Sequence, residues 1–218
     1  MTHPSAGDEG AVATRLILAR HGQTDHNKAL KLQGQVDIPL NALGRSQALA
    51  LGRALEPVAP DVIIASPLSR ALATAQAVAD RTGRTVRTDT AFLERSFGQW
   101  EGLTREEIRA GWPELYVEWI SQRPVLGADV EARTAVAQRV ADACRRLAVE
   151  HAGSTVLVVA HGAAITLGIT GLLGLDPEGF RGIGGLENCH RSTLEVRVQA
   201  GEAGAMRLLS HNLAPDFA

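Results

Sequence analysis

The chain has 218 residues, 45% of them apolar, and a formal net charge of −2. That length suits one α/β domain with a sizeable core and room for a small inserted subdomain. The charge balance excludes the basic patch of a nucleic-acid surface, no run of about 18 apolar residues offers a membrane span, and the N-terminus lacks the basic-then-apolar layout of a secretory signal.

Met1 to Ala13 is small, polar and rich in Gly and Ala, and reads as a flexible tail (1–13) ahead of a single domain over 14–218. Arg15 to Ala19 reads as a fully buried strand, followed by a loop over 22–40. Asn41 caps an expected helix to about Leu55, with Leu43, Ala50 and Leu51 on its inner face. Val62–Ala65 is a second buried strand. Ser66 is then expected to cap a helix with Pro67 at its first position, ending at Gly83. Val86 lies in a short third strand. Thr104-Arg105-Glu106-Glu107 is a capping box.

The stretch from about 99 to 128 breaks the strand–helix rhythm and holds all three tryptophans, so it reads as a cap. Trp100 is expected in the core. Trp112, Tyr116 and Trp119 stand at helical spacing, which favours packing and leaves open a face toward substrate. Asp129 is expected to cap a long helix to about Glu150. Strand 155–160, helix 163–173 and strands near 193–198 and 206–210 complete a three-layer αβα sandwich on a mostly parallel sheet. Cys144 and Cys189 lack metal spacing and read as reduced, which fits a cytoplasmic protein.

Two buried-looking strands end in the same device. Arg20-His21-Gly22 follows Leu16–Ala19, and His161-Gly162 follows Val156–Ala160. Arg70 falls in the first turn of the helix after the second strand. Three strand-to-helix junctions therefore aim cations, imidazoles and helix N-termini at the C-terminal rim of one sheet, where α/β proteins build sites. Thr24 and Asn27 add neutral donors from the first loop. The set suits a compact dianion, and phosphate matches it best. A neutral imidazole can attack phosphorus in line; the leaving alkoxide then needs an acid, and Glu94 is the candidate. Glu101 is a rival carboxylate, whereas Glu106 and Glu107 are better explained by helix capping. His26 and His190 stand near enough in sequence to edge the pocket.

The segments Arg20–Asn27, Ser66–Ala71 with Thr74-Ala75, Glu94 followed by Gly98-Gln99-Trp100-Glu101-Gly102, and Ala160-His161-Gly162 resemble the four ordered motifs of the histidine phosphatase, or phosphoglycerate-mutase-like, superfamily. The resemblance covers about 15–170. It implies His21 as phosphorylated nucleophile, Arg20, Arg70 and His161 as the phosphoryl clamp, and Glu94 as acid/base. It implies Gly22, Thr24, Asn27 and Gly162 around phosphate and Gln33-Gly34 near the rest of the substrate. It also implies no metal and no cofactor, a small phosphorylated metabolite as partner, and is compatible with a homodimer. The short stretch between Glu94 and His161 is similar to the phosphatase branch rather than to the mutases. Leu32–Asp37 and Gly184–Asn188 resemble members acting on a phosphoglycerate derivative. A phosphoglycerate mutase and a silent phospholigand-binding module are the alternatives. One departure is Gly127-Ala128-Asp129, where many relatives carry Gly-Glu-Ser, so cap-side contacts do not carry over.

Overall fold

Four parallel strands and an antiparallel pair at one edge form a single six-stranded sheet. The computed structural model describes residues 10–121 and 123–215. The strands are β1 (Val12–Arg20), β2 (Val62–Ala65), β3 (Val86–Thr88), β4 (Thr155–Ala160), β5 (Arg191–Gln199) and β6 (Glu202–Leu213), in the order β3-β2-β4-β1-β5-β6. β3, β2, β4 and β1 run parallel, and β5 and β6 are antiparallel. The helices are α1 (Asp25–Lys28), α2 (Ala42–Leu55), α3 (Ser69–Thr82), α4 (Arg105–Gly111), α5 (Pro113–Ile120), α6 (Arg133–Glu150) and α7 (Gly162–Leu172). No helix among the described residues is long and apolar enough to cross a membrane.

Side chains alternate across a strand, and the central strands are apolar at every position, so each feeds two cores. Leu16, Leu18, Val156 and Val158 pack with α6 and α7; Ile17, Ala19, Leu157 and Val159 pack with α2 and α3. Each such side chain contributes roughly 1.5–3 kcal/mol by burial. α6 and α7 approach closely because Gly168 meets Val140 and Gly171 meets the Ala137 carbonyl. A third cluster forms the cap, where Phe97, Ile108 and Val125 surround Trp100, which is fully buried.

Several local expectations hold. The Asn41 Oδ1 accepts the Gly44 N–H at 2.9 Å to start α2, and Gly83 ends α3 at φ +66°. Four do not. β1 begins at Val12, inside the segment assigned to the tail, whose first nine residues lie outside the described ones. Leu43 is 52% exposed, because α2 turns its Ala48, Leu51 and Leu55 stripe inward instead. The loop over 22–40 contains α1, capped by Thr24. Finally, α6 starts at Arg133 with no side-chain cap; Asp129 sits at φ +56° and accepts from Gln99 Nε2 at 3.1 Å.

Candidate active site

Register brings the two histidines together. Arg20 is opposite Ala160 in the β1–β4 ladder, so the next residues, His21 and His161, emerge side by side. Their ring centroids are 5.1 Å apart. Ser66 leaves β2 at the same level, its N–H donating to the Val159 carbonyl at 2.9 Å. A cleft of about 1000 Å³ opens over these strand ends.

His21 faces the cleft and is only 2% exposed. Its Nδ1 lies 2.7 Å from the Gly22 carbonyl, which can only accept, so Nδ1 carries the proton and Nε2 keeps a lone pair. Burial holds this imidazole well below its ordinary value of 6.5, and the charges of Arg20 and Arg70 push the same way. It is therefore neutral at physiological pH. Gly22 presses against the backbone of Gly44 in α2, and Gly44 against that of Gln23; neither place has room for a Cβ. The Gly22 N–H donates to Thr74 Oγ1 at 3.1 Å.

Arg70 is fully buried as a residue yet reaches the cleft. Its Nε donates to His161 Nδ1 at 3.2 Å, and its two terminal nitrogens donate to the Val36 and Gly34 carbonyls at 2.7 Å each. A guanidinium has five N–H groups, so two remain for an anion. Arg20 faces the same space, one terminal nitrogen donating to the Leu186 carbonyl. Burial lowers both arginines from the ordinary guanidinium value, while the nearby Glu94 carboxylate opposes the shift.

His161 is bonded to the clamp arginine Arg70. It is fully buried and lies behind the cleft surface. Since its Nδ1 accepts from Arg70, its Nε2–H donates to Ser66 Oγ at 2.8 Å. Burial first, then His21 and the arginines, keep it well below 6.5. Its bonds tie the Arg70 guanidinium to the end of β2, with its ring beside that of His21. Ser66 was expected to cap α3; α3 instead begins at Ser69 with Leu68 at its cap position, and the hydroxyl serves His161.

Glu94 lies across from His21, 9% exposed and facing the cleft. Its carboxylate accepts from the Arg95 and Ala164 N–H groups at 2.9 Å each and from Ala163 at 3.2 Å, which also caps α7. Sequence reasoning missed what holds it there. Arg139 of α6 donates to the carbonyls of Ala91 and Leu93 at 2.8 Å each and of Glu94 at 3.1 Å. The Glu131 carboxylate pins Arg139 from the other side at 3.0 Å and accepts the Ser96 N–H at 2.9 Å. Only the structure reveals this, because Arg139 and Glu131 stand 8 residues apart and the main-chain groups they serve carry no sequence signal. The rival Glu101 is tied to the Gln35 and Phe97 N–H groups at 3.1 and 2.9 Å, away from the cleft.

Asn27, Gln33, Gly34 and Gly162 line the cleft as expected, with Asn188 beside them. Thr24 does not. It is fully buried, its Oγ1 donating to Gln33 Oε1 at 2.7 Å and accepting the Asn27 N–H at 3.1 Å. The Thr24 N–H in turn donates to Asn27 Oδ1 at 3.1 Å, so Thr24 engages both amide oxygens and leaves the two amide nitrogens as donors. Thr24 thus orients the donors and is not one of them. His26, His190, Trp112, Tyr116 and Trp119 lie off the cleft surface. His190 pairs with Asn212, and Trp112 and Trp119 pack on Trp100 at 6.5 and 5.5 Å. Among the described residues no three His, Cys, Asp or Glu converge on a metal position.

Comparison with known proteins agrees with this geometry. The model of the histidine phosphatase superfamily (branch 1) matches residues 16–208. A glucosyl-3-phosphoglycerate phosphatase of Mycolicibacterium vanbaalenii is 36% identical over 199 residues, 88% of either chain. The solved mycobacterial glucosyl-3-phosphoglycerate phosphatase complexed with VO3 superimposes with TM-score 0.84 at 33% identity, covering 92% of this chain and 99% of that one. Phosphoserine phosphatase from Entamoeba histolytica in complex with 3-phosphoglyceric acid gives TM-score 0.75 at 31% identity, covering 90% and 95%. With the family model spanning nearly the whole sheet and the motif residues meeting in one cleft, the chain belongs to the histidine phosphatase superfamily, branch 1, and is a phosphatase of that type.

Proposed function

We propose that this phosphatase hydrolyses a small phosphorylated metabolite, a sugar phosphate or phosphoglycerate derivative, through a phosphohistidine on His21. The observation that carries the reading is the neutral His21 ring, with Nδ1–H fixed on Gly22 and Nε2 free in a cleft flanked by Arg20 and Arg70. The names of the relatives support the substrate class.

In the first step the Nε2 lone pair attacks phosphorus, the ester P–O bond breaks, and the leaving oxygen takes a proton from Glu94. Arg20 and Arg70 stabilise charge on the equatorial oxygens. The Asn27 and Gln33 amides and the Gly162 end of α7 add donors. In the second step water attacks the phosphoryl group, the P–N bond breaks, and the water proton passes to the Glu94 carboxylate. Phosphate leaves, and His21 and Glu94 return to their starting states. No step calls on a metal or an organic cofactor. The buried free thiols of Cys144 and Cys189 suit a cytoplasmic enzyme, and a homodimer is compatible with the fold.

Rapid quench with labelled substrate tests this. The expected result is an acid-labile, base-stable phosphoenzyme, absent in His21→Ala, whose turnover falls by about 10⁴-fold or more. Substantial turnover in that variant would remove His21 as nucleophile. Isomerisation without phosphate release would favour a mutase, and binding without turnover a silent receptor.

A further inference from the structure

The three acceptors that hold Arg70 are His161 Nδ1 and the carbonyls of Gly34 and Val36. Two of them belong to one short strap, residues 33–37. The strap is fixed along its length. Thr24 Oγ1 donates to Gln33 Oε1 at 2.7 Å, and the Val36 N–H turns back onto the Gln33 carbonyl at 3.1 Å. The Gln35 N–H donates to the Glu101 carboxylate at 3.1 Å, and its Nε2 to the Glu94 carbonyl at 3.1 Å. Gly34 stands at φ +51°, so close to the Glu101 carboxylate that a Cβ would overlap it.

Asp37 closes the far end of the strap. Its Oδ1 accepts the Ser69 N–H at 2.8 Å and the Ser69 hydroxyl at 2.7 Å. Ser69 is the first residue of α3 and the immediate neighbour of Arg70. Leu68 occupies the cap position of α3 and makes no side-chain bond, so a carboxylate from a separate loop does the work of an N-cap. That contact joins the main chain bearing Arg70 to the strap bearing its two carbonyl acceptors. The guanidinium and its cage are thus referred to one point. Asp37 is exposed and does not line the cleft. Its charge still reaches the clamp. Burial acts most strongly against the Arg70 charge; Glu94, then Asp37 and Glu101, act for it, and Arg20 acts against it. Asp37 therefore has two opposed effects on an anion held by Arg70. Its bonds fix the clamp, and its charge repels what the clamp holds.

We infer that Asp37 is a positioning residue of the phosphate clamp, holding Arg70 in its strap by way of Ser69. This rests on the phosphatase reading above. The two effects separate by substitution, because Asp37→Ala removes both bonds, whereas Asp37→Asn keeps an acceptor oxygen for both and removes only the charge. The readouts are the equilibrium dissociation constant of inorganic phosphate and kcat on p-nitrophenyl phosphate and 3-phosphoglycerate. Asp37→Ala should weaken phosphate about tenfold and lower kcat about tenfold, by the same factor on both esters, since a loosened clamp serves neither transition state. Asp37→Asn should keep kcat and bind phosphate about twofold more tightly, a nearby like charge being gone. Ser69→Ala deletes only the hydroxyl donor and should weaken phosphate about threefold, which keeps the test open where Asp37→Ala does not fold. A purely structural cap would cost stability and leave phosphate affinity and kcat unmoved; that result overturns the inference. So does an asparagine variant that behaves like the alanine one, a kcat loss confined to 3-phosphoglycerate, or unchanged phosphate binding in Ser69→Ala. Should the wild type turn over neither ester, the phosphatase reading is what fails, and phosphate affinity across the same variants still decides the role of Asp37.

Discussion

At the floor of the cleft His21 and Arg70 are 2% and 0% exposed, His161 behind them is 0% exposed, and each is held by hydrogen bonds from within the protein. At the mouth, where Lys31 pairs with Thr104 to join the first loop to the cap, Leu30 is 80% exposed and Arg105 stacks on Trp119. The floor is made from strand ends whose positions the parallel ladder dictates. The mouth is backed by aromatic packing around Trp100, a cluster separate from the two that cover the sheet. Chemistry on a rigid sheet edge with recognition on the surrounding loops is a general way for one fold to serve several substrates.

The most severe way to break this division is at the acid. Glu94→Gln should cost about 10²–10⁴ in kcat on alkyl phosphates and much less on p-nitrophenyl phosphate, whose leaving group needs little protonation. Equal losses on both would show that Glu94 is not the proton donor. A smaller loss asks how far the floor extends. Arg139→Met removes donors to three carbonyls around Glu94 but touches no cleft atom. Its kcat on alkyl esters should fall roughly 10–100-fold with KM little altered, since a mispositioned acid forfeits part of the general-acid factor. Parallel loss on the aryl ester would mark Arg139 as a fold residue only.

The smallest effect is on stability and reads the burial of the floor. His21 and His161 lie well below 6.5 when folded, so the unfolded chain binds more protons as pH falls past 6.5. Stability is then fully present above that pH and declines below it, by up to about 1.4 kcal/mol per pH unit for each histidine. Urea midpoints between pH 7.5 and 5.5 should show this slope, and His21→Asn should remove part of it. Identical slopes in wild type and variant would mean that the His21 ring titrates freely in the folded protein.

Much of the floor was legible in the sequence, because a short apolar strand followed by His-Gly or Ser-Pro states its own geometry. The pairing of His21 with His161 needed only that β1 and β4 be neighbours in register. Two misplaced caps share one cause. Ser66 and Asp129 are both good local caps, and local hydrogen bonding is what a sequence reader weighs. The structure uses Ser66 across the sheet on His161, while Asp129 meets Gln99; Thr24, read from sequence only as a phosphate donor, caps α1 and serves Gln33. Arg139 escaped notice because its partners are main-chain carbonyls of residues 91–94, which carry no sequence signal. Leu43 was misplaced by a helical phase that only packing against α3 could set.

The reciprocal contact of Gly22 and Gly44 has a consequence for heredity. Position 44 bears no functional group and lies outside every motif, yet a lone methyl there must pry α2 from the turn that aims the nucleophile. An inert spot on a neighbouring helix is thereby closed to all nineteen other side chains.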